Sequence, residues 1–238
     1  MEFLPKLSEI LKSDTILDWY KYDILEYPNG EERKSIRYQA IQRIDDIVTF
    51  HSFFIIAHQQ SNDIITPKYQ EFNERDNNMF EDIKDNEKAV TYARLSFHPF
   101  SIKQQQDQAL YIANESLVIN LWTTIEQYTN RCFQTLTNET TSRGNNNYKW
   151  DIITKKFEEH DVNINEISSH KDIDEIRVLN NKIKHLYIVD SRLAKFKYFE
   201  PYLGRKINTI PLRLEDYITS TYHFIIKLIN LIGPTEQY

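Results

Sequence analysis

The sequence predicts an all-α protein folded as an irregular helical bundle. Only 4 Gly and 7 Pro occur in 238 residues, too few turn-makers for the many short strands of a sandwich or barrel. Apolar residues recur instead at three- and four-residue steps over long stretches. No internal repeat and no sustained heptad is present, which separates this chain from solenoids and coiled coils. Hydrophobic residues at 40%, with 13 Phe and 15 Tyr, supply enough apolar surface for a sizeable core.

The first helix is expected from about Glu32 to Ile65, where Ile36, Ala40, Ile44, Ile47, Val48, Phe54 and Ile55 fall at helical spacing. Pro67 lies near a helix start, and an Asn- and Asp-rich run around 75–78 precedes a more apolar segment from Phe80 to Leu95. His98-Pro99-Phe100 is expected to end that segment, because the residue before proline is pushed out of helical geometry. A domain boundary is placed there: 1–100 as a helical accessory region, 101–238 as a helical bundle, with the two free to pack as one body.

The stretch from Lys103 to about Thr137 is expected to be the longest and most buried helix, with Ala109, Ile112, Ala113, Ser116, Leu117, Asn120, Leu121, Thr124, Tyr128 and Cys132 on one side. Asn138 to Asn147 (NETTSRGNNN) predicts an exposed loop. Short helices follow at Tyr148–Glu159 and at Asp172–His185, the latter with Ile173, Ile176, Leu179 and Ile183 inward. Further helices are expected over Arg192–Tyr202 and over Leu214–Ile232, the last stopped by Gly233-Pro234.

Composition narrows the chemistry. One cysteine, Cys132, leaves no internal disulfide and no multi-thiolate zinc site, and fits a reducing, cytoplasmic setting. No apolar run reaches the length of a membrane span, and the first 20 residues carry four acids. Phosphate-binding and dinucleotide glycine motifs are absent, so neither a cofactor nor a bound metal is expected. The net charge of −6 argues against coating nucleic acid through bulk charge. Residues 171–206 depart from that average, with nine lysines and arginines against five acids.

Six of the seven histidines read as packing or solvated residues; His51 and His58, seven apart on one helix side, have no acid at ligand spacing. His185 differs because of its setting, EIRVLNNKIKH. Residues four apart lie on one helix stripe, so Arg177, Asn181 and His185 align there, flanked by Lys182 and Lys184. Imidazole suits proton transfer near neutral pH, guanidinium matches phosphate, and a carboxamide can orient either. Such a stripe is equally compatible with a plain solvated face.

Two segments resemble the HEPN superfamily of helical ribonuclease toxins and antiviral effectors over roughly Lys103 to Ile232. SLVINLWTTIEQYTNRCF is similar to the early helix with an embedded Glu, here Glu126; the segment from Trp150 through EIRVLNNKIKH is similar to the helix bearing the Arg-polar-His signature. The spacing departs from that signature: seven residues separate Arg177 from His185, and Asn180 stands where an Arg is common.

The resemblance implies a metal-independent endoribonuclease, a toxin or abortive-infection effector that cuts RNA by 2′-OH attack. His185 would be the acid-base group, Arg177 the phosphate contact, Asn181 the polar companion and Glu126 a brace. Lys182, Lys184, Arg192 and Lys195 would bind RNA, with Tyr187, Phe196, Tyr198 and Phe199 as stacking or packing aromatics. One stripe is chemically incomplete, so a symmetric homodimer is expected, together with an antitoxin or regulatory protein. The alternatives are a non-catalytic HEPN-like domain binding RNA, nucleotide or protein, and a helical adaptor that binds no nucleic acid.

Overall fold

The computed structural model describes residues 26–80, 86–138 and 149–237. These form five α-helices: α1 (Glu31–Phe80), α2 (Asn86–Thr137), α3 (Trp150–Glu158), α4 (His170–His185) and α5 (Leu214–Leu231). Short 3-10 turns lie between α3 and α4 and between α4 and α5. One small ribbon departs from the all-α expectation: β1 (Glu26–Pro28) pairs antiparallel with β2 (Thr235–Gln237). Gly30, at φ +92°, turns the chain from β1 into α1. No helix among the described residues is long and apolar enough to cross a membrane.

The described residues group into two compact units. One comprises 50–113, the C-terminal part of α1 and the N-terminal part of α2; Gln106 donates to Ser61, and Lys103 Nζ to Asn62 at 3.2 Å. In this unit Phe54 stacks on His58 one turn later, at 6.3 Å between centroids. The other unit takes 26–49 with everything described beyond 113. The expected boundary near residue 100 thus falls inside α2, and the second unit recruits the first turns of α1, residues 31–49, as well.

Pro67 does not start a helix and His98-Pro99-Phe100 does not end one; α1 and α2 run through them. A proline forfeits one backbone hydrogen bond, whereas stopping and restarting demands a new and costly nucleus. The expected loop at 138–147 lies, beyond Asn138, outside the described residues.

The larger unit packs around α5. Eleven of its 18 residues are buried, among them Tyr217, Tyr222, Phe224 and Ile225, so α5, rather than the Lys103 stretch, is the most enclosed helix. It is apolar on nearly every side, as a central bundle helix must be. Ile36, Ala40, Ile44, Ile47 and Val48 of α1 join this core, as do Leu117, Leu121, Ile125 and Cys132 of α2. Each large side chain buried here contributes roughly 1.5–3 kcal/mol. Ile112, in contrast, is exposed. Thr124 on α2, fully buried, is satisfied within its own helix, donating to the Asn120 carbonyl at 2.8 Å. Burial pushes the Cys132 thiol up to about 12, which leaves it unreactive as a nucleophile.

One long-range tie closes this unit. Arg33, near the start of α1, is buried and donates to the carbonyls of Ile229 (3.0 and 2.8 Å), Asn230 (3.2 Å), Gly233 (3.1 Å) and Pro234 (2.7 Å). Helix ends leave carbonyls unpaired, and the planar fork of arginine carries enough donors to take several. Burial lowers the Arg33 pKa, the expected direction for a desolvated cation.

The segment Arg192–Tyr202 is not the single helix expected. It forms two 3-10 turns, Leu193–Lys195 and Glu200–Tyr202, separated by an extended Phe196. Asp190 favours the first by accepting from the backbone N–H groups of Arg192 (3.2 Å) and Leu193 (3.0 Å). Pro201 within the second turn lacks the N–H a continuous helix needs.

Candidate functional site

Helix α4 presents its two ends to different surroundings. Ile173, Ile176 and Leu179 anchor it in the core as their spacing predicts, and Val178, Glu175 and Asn180 are buried beside them. The remaining face carries the stripe. At its C-terminal end Asn181, Lys184 and His185 are exposed. Lysines in the last turn also stabilise the helix by facing its carbonyl end. Lys182 is held at 2.6 Å by Asp190, and this hydrogen bond keeps the Asp190 carboxyl below its ordinary value. The chain then turns at Tyr187, whose φ of +56° is uncommon outside glycine. Its N–H donates to the Lys182 carbonyl at 2.7 Å and its hydroxyl to Glu115 on α2.

Glu126, the acid of the HEPN-like segment, is half-buried on α2 and within electrostatic range of Lys184. Burial raises its pKa, with a hydrogen bond from Trp122 and the charge of Lys184 opposing. The structure therefore exposes Asn181, Lys184 and His185 at one end of α4, with Glu126 within electrostatic range of Lys184.

Arg177 is otherwise engaged. Its Nε and Nη2 both reach Asp174 Oδ1, at 2.8 and 2.5 Å, and its side chain is only 15% exposed. Eight residues along α4 place it about 12 Å from His185 on the helix axis. Its guanidinium is committed to Asp174 rather than turned toward His185. Arg192 is exposed beyond Asp190, and Lys195 lies at the opposite end of α4, on the rim of a cavity.

That cavity, of about 800 Å³, opens beside the first turns of α4 and is walled by Phe196, Tyr198, Pro201 and Tyr202. At its edge a buried polar hub fixes α4 to α5. Glu175 accepts from Arg213 Nη2 (2.7 Å) and from the Tyr217 hydroxyl (2.7 Å); Asp172 accepts from Arg213 (3.1 Å) and Ser220 (2.8 Å). Burial raises the Tyr217 pKa, and the Glu175 charge adds to it. Burial disfavours the charge on Arg213, yet its carboxylate partners outweigh that and hold its pKa above the ordinary value. His170, also on the cavity, has a lowered pKa through burial, with Asp174 opposing.

The sequence reading missed this hub and cavity. One signal for it exists: Glu175 is an acid four residues before Leu179, hence on the apolar face, and a carboxylate there requires a buried partner. Of the four aromatics named with the basic stretch, Phe199 is buried in the core, Phe196 and Tyr198 wall the cavity, and Tyr187 is tied to Glu115. Among the described residues no cluster of His, Cys, Asp or Glu is placed to hold a metal. No protein-family model, curated protein or solved structure matches the chain.

Proposed function

We propose that this chain is a HEPN-type helical protein that binds single-stranded RNA at the C-terminal end of α4. The observation that carries this reading is the joint exposure of Asn181, Lys184 and His185 on a helix whose opposite face is anchored in the core. A rigidly held helix presenting an ammonium, an amide and an imidazole offers contacts to phosphate, sugar hydroxyl and base edges alike. The engagement of Arg177 by Asp174 favours binding over cutting, since the cation that would offset charge on the scissile phosphate is already neutralised.

Metal-independent cleavage is the second reading, and Glu126 favours it. A carboxyl of raised pKa near Lys184, at the His185 end of α4, supplies a second proton-transfer group. In that chemistry His185 takes the 2′-hydroxyl proton, the 2′-oxygen attacks phosphorus, and the bond to the 5′-oxygen breaks as protonated Glu126 gives that oxygen a proton, leaving a 2′,3′-cyclic phosphate and a 5′-hydroxyl. A homodimer would bring a second His185 to the same strand, and an antitoxin or regulatory protein would restrain the activity.

Labelled RNA incubated with the protein in EDTA, beside His185→Ala, Lys184→Glu and Arg177→Ala, tests both. Binding without cutting gives intact, retarded RNA whose retardation weakens in Lys184→Glu. Cutting gives fragments with cyclic phosphate ends that vanish in His185→Ala. Wild-type protein that neither retards nor cuts RNA overturns both readings and leaves the adaptor.

A further inference from the structure

The cavity at the other end of α4 has the makings of a small-molecule site. Its volume of about 800 Å³ lies within the range of ligand pockets, roughly 300–1,000 Å³. Its charges are unevenly committed. The acids on its wall are all held by guanidinium groups: Asp172 and Glu175 by Arg213, Asp174 by Arg177. Lys171, Lys195 and Lys197, exposed on the same rim, have no ion-pair partner among the described residues. The charge left over for a ligand is therefore positive.

The aromatic wall is preorganised. Tyr198 donates its hydroxyl to the Pro211 carbonyl, packs against the Arg213 guanidinium at 5.2 Å, and lies 5.8 Å from the Tyr202 ring. A ring fixed in this way stacks a flat ligand without losing rotamer freedom. His170 Nε2, in a residue that lines the same cavity, is buried with no hydrogen-bond partner, an unused group for the edge of a heterocycle. Three unpaired ammonium groups beside fixed aromatic rings select a ligand both anionic and flat.

We propose that this cavity binds a nucleoside phosphate, its base against Tyr198 and Tyr202 and its phosphate on Lys171, Lys195 and Lys197. The site uses different residues from the α4 C-terminal end, so it does not depend on RNA binding there. Free nucleotide and the phosphorylated 5′ end of an RNA share this chemistry.

Isothermal titration of the full chain with the four nucleoside monophosphates, adenosine, ribose 5-phosphate and inorganic phosphate tests it. At least one nucleotide is expected to bind with Kd below about 1 mM, and its fragments about tenfold more weakly. Lys171→Glu with Lys197→Glu is expected to raise Kd about tenfold or more, and Lys197→Ala in the same direction, while Lys155→Glu on α3 changes nothing. Competition by a 5′-phosphorylated oligonucleotide but not its 5′-hydroxyl twin identifies the RNA end as the source; competition by neither identifies the free nucleotide. No binding of any nucleotide, equal affinity for phosphate alone, or indifference to the double charge reversal in a variant of unchanged helicity overturns the proposal. Gel retardation of RNA by Lys184→Glu is read separately and stands or falls on its own.

Discussion

Arg33 and Gly233 are fitted to each other: a Cβ added at Gly233 would lie 2.6 Å from Arg33 Nη1. A side chain here would displace the Arg33 guanidinium from the carbonyls it holds; the constraint comes from that approach, not from a left-handed backbone. Gly233→Ala is expected to cost about 1–3 kcal/mol, and Arg33→Ala a similar or larger amount through the unpaired carbonyls it exposes. The double variant should lose less than the sum, because the clash disappears with the guanidinium. Urea denaturation of the four proteins gives the coupling directly; strict additivity would show that the two residues act independently.

The hub on α4 makes a second prediction. Glu175→Ala leaves Arg213 without its closest carboxylate and the Tyr217 hydroxyl without an acceptor, and is expected to cost about 3 kcal/mol. Tyr217→Phe removes a single hydrogen bond and should cost about 1 kcal/mol. Equal losses in thermal or chemical denaturation would contradict the assignment of Glu175 as the centre of the cluster.

Releasing Arg177 offers a functional test. Asp174→Ala frees a guanidinium now occupied at 2.5 Å, and RNA affinity should rise about three- to tenfold. The slope of log affinity against log salt should steepen by about 0.7, one further phosphate contact on a single strand. An unchanged slope would place the strand away from Arg177.

Glu126 sets a pH dependence. Its folded pKa is raised by burial, so the folded state holds its proton more tightly than the unfolded chain does. The resulting destabilisation is absent below the unfolded value, about 4.5, and develops as pH rises through the folded one. Glu126→Gln should therefore raise the melting temperature at pH 7 and leave it unchanged near pH 4. A gain at pH 4 of the same size would assign the effect to packing. His170, lowered by burial, acts in the other direction, its contribution being lost as pH falls from about 6.5.

The helical class was legible because periodicity reports burial: Ile36, Ala40, Ile44, Ile47 and Val48 of α1 and Ile173, Ile176 and Leu179 of α4 are buried as their spacing predicts, whereas Phe54, Ile55 and Ile183 are only half-buried. Helix ends were less legible. Pro67 read as a start and Pro99 as a stop, since a local rule says nothing about the cost of restarting a helix. Arg192–Tyr202 read as helix because its apolar residues suit either form, and the Asp190 side chain decides between them. At the site, the stripe on α4 was visible from spacing. The capture of Arg177 by Asp174 was not, because three-residue acid-base spacing alone does not distinguish a pair from two solvated charges. The cavity was invisible for a simpler reason: its walls come from residues 170–175, 195–202 and 213, and only folding brings them together.

The clasp of Arg33 on the far end of α5 spans 196 residues of chain. During synthesis the acceptors emerge well after the donor, so the opening turns of α1 leave the ribosome roughly 10–40 s before their partners exist. Through that interval Ile36, Ala40 and Ile44 have no central helix to cover them. The nascent chain should accordingly depend on chaperones until α5 is released, and truncations that remove α5 should be degraded rather than accumulate as a shorter folded product.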